Sequence, residues 1–163
     1  MIVLKNILVA TDFSEPSDVA LNYGRDMARS YSATLHVLHV VENVIVRYSP
    51  EIVVASPVLQ ENLESEARRH LDAALTDDDR RTLKITPAVR VSPNVAGGIV
   101  DYAKEHSIDL IIVGTHGRSG VQHFLMGSVA ERVVRTAPCP VLAVRERERD
   151  FLAPDALVAA AKV

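Results

Sequence analysis

Four of the chain's seven glycines fall between residues 114 and 127, in the string Gly114-Thr115-His116-Gly117-Arg118-Ser119-Gly120-Val121-Gln122-His123-Phe124-Leu125-Met126-Gly127-Ser128. Lacking a Cβ, glycine lets a backbone turn sharply and come close to a ligand. Gly127 and Ser128 precede a helical pattern. The unpaired amides at a helix start, reinforced by the helix dipole, make an anion site. A phosphate chain laid between Gly114–Gly117 and Gly127–Ser128 would meet several N–H donors, and Arg118, His116 and His123 would add charge or further donors. The chain has neither a Gly-Lys-Ser/Thr P-loop nor a Gly-x-Gly-x-x-Gly after its first strand, so the known phosphate motifs do not account for the run. The competing reading is a surface loop whose glycines only let it turn.

The run can act only if a rigid frame holds its two ends. Apolar stretches at 5–11, 33–41, 84–91, 109–113 and 140–145 read as strands, several of them buried on both faces. Pro87 argues for an edge position for the third. Helical signals fall between them. Ser14 with Glu15 and Pro16 opens a helix over 15–31, with Ala20, Tyr23, Met27 and Tyr31 at helical spacing. Ser56-Pro57 opens a second, with Leu59, Leu63, Ala67 and Leu71 on one face and an end near Asp77-Asp78-Asp79, read as a solvated turn. Ser92-Pro93 opens a third, carrying Ala96, Ile99, Val100 and Ala103, and a fourth runs from Ser128 to Arg135. Residues 42–55 match no period and read as a long connection, and the tail from Glu146 moves from a charge run to an Ala-rich segment. Strands alternating with helices predict an α/β fold, a parallel sheet covered on both faces with right-handed crossovers. Ligands of such sheets bind beyond the strands' carboxyl ends, where the strand order reverses. That rule selects the loops starting at Thr11-Asp12, Val40-Val41 and Gly114.

Composition bounds the function. A chain of 163 residues, 48% apolar and 24% charged, fits one globular domain. Aromatic residues at 4% leave little stacking surface for single-stranded nucleic acid, and 18 Lys+Arg against 21 Asp+Glu give a net charge of −3, so no nucleic-acid partner is expected. The single cysteine, Cys139, allows no internal disulfide or Cys-based zinc cluster, and reads as a small half-buried residue. Six histidines invite a metal reading. His36 and His39, however, point to opposite faces of one strand, and His70 and His106 sit on helices away from the glycine run. No apolar run reaches the roughly 20 residues that span a bilayer, and the N-terminus has no signal-peptide pattern, so a cytoplasmic protein without membrane contact is expected.

The spacing Gly114-x2-Gly117-x9-Gly127-Ser128 resembles the nucleotide motif of the universal stress protein family, in its ATP-binding branch. The opening Lys5-Asn6-Ile7-Leu8-Val9-Ala10-Thr11-Asp12-Phe13-Ser14 is similar to that family's first strand and loop, Leu38-His39-Val40 to its second strand end, and Cys139-Pro140-Val141-Leu142-Ala143-Val144 to its last strand. The likeness covers residues 3–146, which divides the chain into a nucleotide-binding domain at 1–146 and a tail at 147–163. It implies a three-layer, doubly wound, five-stranded parallel sheet of order 3-2-1-4-5, usually a dimer, and a role in stress survival. It further implies that Asp12 and the backbone of Val40 recognise the adenosine end, and that Ala10 and Thr11 line base and ribose. Gly114, His116, Gly117, Arg118, Met126, Gly127, Ser128 and Val129 would hold ribose and phosphates. The ligand implied is ATP, AMP or ADP, with any Mg2+ carried by the phosphates. Ala10 stands where some relatives have proline. Read on its own chemistry, Asp12 can accept from a ribose hydroxyl or an adenine amine, or cap the helix at 15.

These residues predict a nucleotide-dependent regulatory protein with a still unidentified protein partner. They also predict a homodimer, because an apolar edge strand at Val141–Val144 invites pairing with a second copy. The alternative is a slow ATPase or phosphotransferase, for which His116, His123 and Arg118 are the local candidates. A phospho-receiver domain would need an Asp after the third strand, where Val91-Ser92-Pro93 stands instead. A module without nucleotide leaves the glycine run without a purpose.

Overall fold

The computed structural model describes residues 1–43, 45–49, 52–115 and 127–145. Five strands form one parallel sheet: β1 (Asn6–Ala10), β2 (Thr34–Glu42), β5 (Lys84–Ser92), β6 (Leu110–Gly114) and β7 (Val141–Val144). Their spatial order is β5-β2-β1-β6-β7, which is 3-2-1-4-5 when these five alone are counted. β5 is an edge strand, as Pro87 predicts, and so is β7. β1 is the pivot. Ala10, the last residue of β1, lies level with Leu38 of β2 on one side and Val113 of β6 on the other; β6 ends at Gly114 and β2 runs on to Glu42.

Alternation along the strands splits the core into two layers. Ile7 and Val9 face a layer with Leu35, Val37 and Ile112, closed by α1 (Glu15–Tyr31) and α2 (Pro57–Ala74). Leu8 faces the other, with Leu38, Val40 and Ile111, closed by α4 (Val95–Glu105) and α5 (Ser128–Thr136). Ile7, Leu8 and Val9 are all fully buried, the reason β1 reads as an unbroken apolar run. α1 comes close to β1 because Gly24 carries no side chain: a Cβ there would collide with Val9 Cγ2.

Four local expectations are corrected. Residues 42–55 are not a plain connection: β2 continues to Glu42, and β3 (Ile45–Ser49) pairs antiparallel with β4 (Ile52–Ala55). Ser49-Pro50-Glu51 between two Val/Ile-rich runs is a hairpin signal without the usual glycine. The helix after β5 opens not at Ser92-Pro93 but at Asn94, whose Oδ1 accepts from Gly97 N at 2.7 Å, while Ser92 ends the strand. Of the apolar stripe expected on α2, Ala67 and Leu71 are buried but Leu59 and Leu63 are exposed; on α1, Tyr31 is exposed. Finally, the acidic triplet is no solvated turn. It starts a short helix, α3 (Asp77–Thr82), with Thr76 and Asp79 capping each other reciprocally. Asp79 is only 2% exposed and takes the Nε of Arg25 on both carboxylate oxygens, at 3.0 Å each.

On the α4 side, His36 is buried and its Nδ1 lies 3.0 Å from the Tyr102 hydroxyl, with His106 stacked on Tyr102 at 4.0 Å. Burial, and then the charge of His106, hold the His36 imidazole below its ordinary value. The unfolded chain therefore binds a proton at this position below about pH 6.5 that the native state resists, so stability falls as pH drops through that value. Thermal melts from pH 8 to pH 5 are expected to show this loss. His36→Asn, which keeps a hydrogen-bonding nitrogen toward Tyr102 but does not titrate, should show less of it.

Candidate functional site

Beyond the carboxyl end of β1, between β2 and β6, lies a cleft of about 360 Å³. Its floor is apolar: Leu38 and Val40 from β2, Val113 from β6, Val95 and Ile99 from α4. One wall is Ala10, Thr11 and Asp12 with Ser17 of α1; the other is Gly114 and Thr115, then Gly127, Ser128, Val129 and Ala130 at the start of α5. The ends of the glycine run are tied here. Thr115 N donates to Val144 O at 2.8 Å, and Gly127 N donates to Thr115 O at 2.5 Å.

The first wall is a chain of satisfied hydrogen bonds. Thr11 N donates to Leu38 O at 2.9 Å. Phe13 N donates to Thr11 Oγ1 at 3.0 Å, Thr11 Oγ1 lies 3.0 Å from Ser17 Oγ, and Ser17 Oγ donates to Ser14 O at 2.8 Å. Each hydroxyl has one proton, so the order must run Phe13 N–H to Thr11, Thr11 O–H to Ser17, Ser17 O–H to Ser14. Asp12 Oδ1 accepts from the backbone N–H of Ser14 at 3.1 Å and from the Ser14 hydroxyl. Ser14 thus stands at the N-cap of α1 as expected, but its hydroxyl serves Asp12 and makes no cap to the helix. The carboxylate folds the turn before α1 and also lines the cleft.

The second wall presents the start of a helix to the cleft. Gly127 is the N-cap of α5 and supplies no side-chain cap. The Glu131 amide finds Gly127 O at 2.9 Å, but the amides of Ser128, Val129 and Ala130 precede any intrahelical acceptor. The positive end of the helix dipole lies at the cleft with them. Gly114 has a packing task besides: a Cβ would meet the carbonyl of Pro16 at 3.0 Å, so glycine lets β6 end against the first turn of α1.

The cleft brings together Ala10, Thr11, Asp12, Val40, Gly114, Gly127, Ser128 and Val129 from the expected set. His116, Gly117, Arg118 and Met126, together with His123, lie outside the described residues. Sequence reasoning missed Ser17, Leu38, Val95, Ile99, Val113, Thr115 and Ala130 as lining residues. Ser17 left a signal, a serine on the helix face otherwise made by Ala20, Leu21, Gly24 and Ala28. Val95 and Ile99 left none, since only the packing of α4 aims them here.

Outside the cleft, Cys139 is half-buried as expected, and burial followed by the Asp109 charge pushes its thiol up. Among the described residues no group of three His, Cys, Asp or Glu is placed to hold a metal ion, and no helix is long and apolar enough to cross a membrane.

Comparison with known proteins agrees with this fold. The profile of the universal stress protein family matches residues 4–145. Universal stress protein A homolog 1 of Coxiella burnetii is 37% identical over 148 residues, covering 88% of this chain and 98% of the relative. The structure of universal stress protein UspA from Lactobacillus plantarum superposes with a TM-score of 0.72 at 29% identity, over 89% of this chain and 100% of that one. A universal stress protein solved in complex with cAMP has a TM-score of 0.57 at 25% identity, over 89% of this chain and 99% of its own.

Proposed function

The chain belongs to the universal stress protein family, and from that premise we propose that it binds an adenine nucleotide, ATP foremost, in the cleft and acts in the cytoplasm as a nucleotide-dependent regulatory dimer. The observation that carries this reading is the start of α5, whose N-cap glycine has no side chain to cap it, opening onto a cleft with an apolar floor and a carboxylate wall. The three features suit the three parts of the ligand. Apolar Val40, Ile99 and Val113 accept a flat base. Asp12 accepts from a ribose hydroxyl or the adenine amine. The amides of Ser128, Val129 and Ala130 take phosphate oxygens, with Mg2+ travelling on the phosphates. The cAMP complex of a related chain supports an adenine nucleotide as the class. His116, Gly117, Arg118 and Met126 complete the set that the family resemblance implies. The domain runs over 1–146, with 147–163 as its appendage. β7 is an edge strand with half-buried Val141, Leu142 and Ala143, and antiparallel pairing with a second copy would satisfy it.

Native mass spectrometry of the purified protein reads nucleotide and subunit number together. The expected spectrum is a dimer carrying an adenine nucleotide, with ATP restoring the mass shift after stripping. A monomer that stays bare at saturating ATP, ADP and AMP would overturn the reading. Asp12→Ala should weaken ATP by about 1–3 kcal/mol, the cost of one lost hydrogen bond to a charged acceptor. An unchanged Kd in calorimetry would leave Asp12 with the turn alone.

A further inference from the structure

His39 stands on β2 between Leu38 and Val40 but on the face away from the cleft. Its Nδ1 lies 2.8 Å from the carbonyl oxygen of Thr11. That oxygen can only accept, so Nδ1 carries the proton. The imidazole also stacks on Phe13, with ring centroids 4.4 Å apart and planes 24° from parallel. The edge of His70 from α2 meets the same Phe13 ring at 5.3 Å. Phe13 has a φ of 63°, a left-handed backbone that a bulky residue adopts only under outside constraint.

These contacts bracket Asp12. The Thr11 carbonyl belongs to the rigid peptide plane that enters Asp12, and the Phe13 amide to the plane that leaves it. His39 pins the first by its hydrogen bond. It steadies the second by holding the Phe13 ring, while Phe13 N is tied to Thr11 Oγ1. With both planes fixed, the Cα–Cβ direction of Asp12 is fixed, and the bonds from Ser14 N and Oγ then set the carboxylate.

We propose that His39 is a positioning residue for nucleotide recognition: from behind the sheet it sets the β1–α1 turn so that Asp12 meets the nucleoside. The inference rests on the adenine-nucleotide reading of the cleft and extends it to a residue that touches no ligand. It predicts that His39 matters only through Asp12. His39→Phe keeps a ring for Phe13 and removes the donor; His39→Asn keeps a donor at the place of Nδ1 and removes the ring.

The test is a double-mutant cycle on ATP affinity, read by calorimetry, with thermal melts as a check on folding. His39→Phe should raise Kd about tenfold in the parent chain and less than twofold in the Asp12→Ala background. His39→Asn should recover most of the loss; if His39→Phe does not fold, His39→Leu, which likewise lacks the donor, takes its place in the cycle. Equal losses in both backgrounds, or no loss in the parent, would make His39 a support of the fold only and overturn the inference while leaving the nucleotide reading intact. A parent chain that binds no ATP would end both.

Discussion

Gly127→Val is expected to abolish ATP binding, a loss of at least about 100-fold, or roughly 2.8 kcal/mol at 1.4 kcal/mol per decade. Gly127 caps α5 with φ −68° and ψ 153°, an extended backbone that valine adopts without strain. The fold therefore tolerates the change. The poorer N-cap preference of valine costs at most about 1 kcal/mol. A side chain at an N-cap position lies over the N2 and N3 amides, here those of Val129 and Ala130, so the two added methyls would displace phosphates from these donors. Gly127→Ala, with one methyl, should fall between. Calorimetry gives the affinity and a thermal melt shows whether the chain is folded. A folded Gly127→Val protein that keeps its Kd would place the phosphates elsewhere.

Arg25→Met is expected to lower stability by about 2–4 kcal/mol at pH 7, toward the cost of stranding one member of a buried ion pair. At about 2–4 °C per kcal/mol, the melting temperature should fall by roughly 10 °C. Arg25 joins α1 to α3: beside its Nε bonds to Asp79, its Nη2 donates to Ala74 O at 2.8 Å. Arg29, 3.6 Å from Asp79 Oδ1, softens the loss without replacing that geometry. Burial pushes the Asp79 carboxyl up, but the Thr76 amide, Arg25 and the Thr76 hydroxyl outweigh it and hold the group below its ordinary value. A carboxyl with a lowered native pKa stabilises above its unfolded value, about 3.9, and that stability is lost as pH falls through the lower native one. The gap between Arg25→Met and the parent should therefore be largest at neutral pH and shrink below about pH 4. A gap that is small at pH 7, or constant to pH 2.5, would show that the pair is not the bond between these helices.

Much of the architecture was legible because it is written in neighbouring residues. A strand buried on both faces must be apolar throughout, as Ile7-Leu8-Val9 and Leu110-Ile111-Ile112-Val113 are. Pro87 cannot donate to a ladder, so it belonged at an edge. Half of the cleft was legible for a similar reason. The turn after β1 and the glycine before α5 are local features, and the rule that ligands collect at strand ends brings them together.

What stayed hidden depends on residues far apart in the chain. Asp79 looked like one acid among three until a helix 54 residues away supplied Arg25 and buried it. Val95 and Ile99 looked like any apolar helix stripe until α4 packed across the end of β2. His39 looked like a strand histidine until the Thr11 carbonyl and the Phe13 ring closed on it. The sequence alone determined the periods and the glycines, hence the five strands of the parallel sheet and the four longer helices in their order, but not β3, β4, α3 or the cap at Asn94. The tertiary structure decided which charges are buried, which side chains floor the cleft and which group orients its carboxylate. Periodicity is set by a residue's neighbours in the chain, whereas partnership is set by neighbours in space, and those exist only once the sheet has closed.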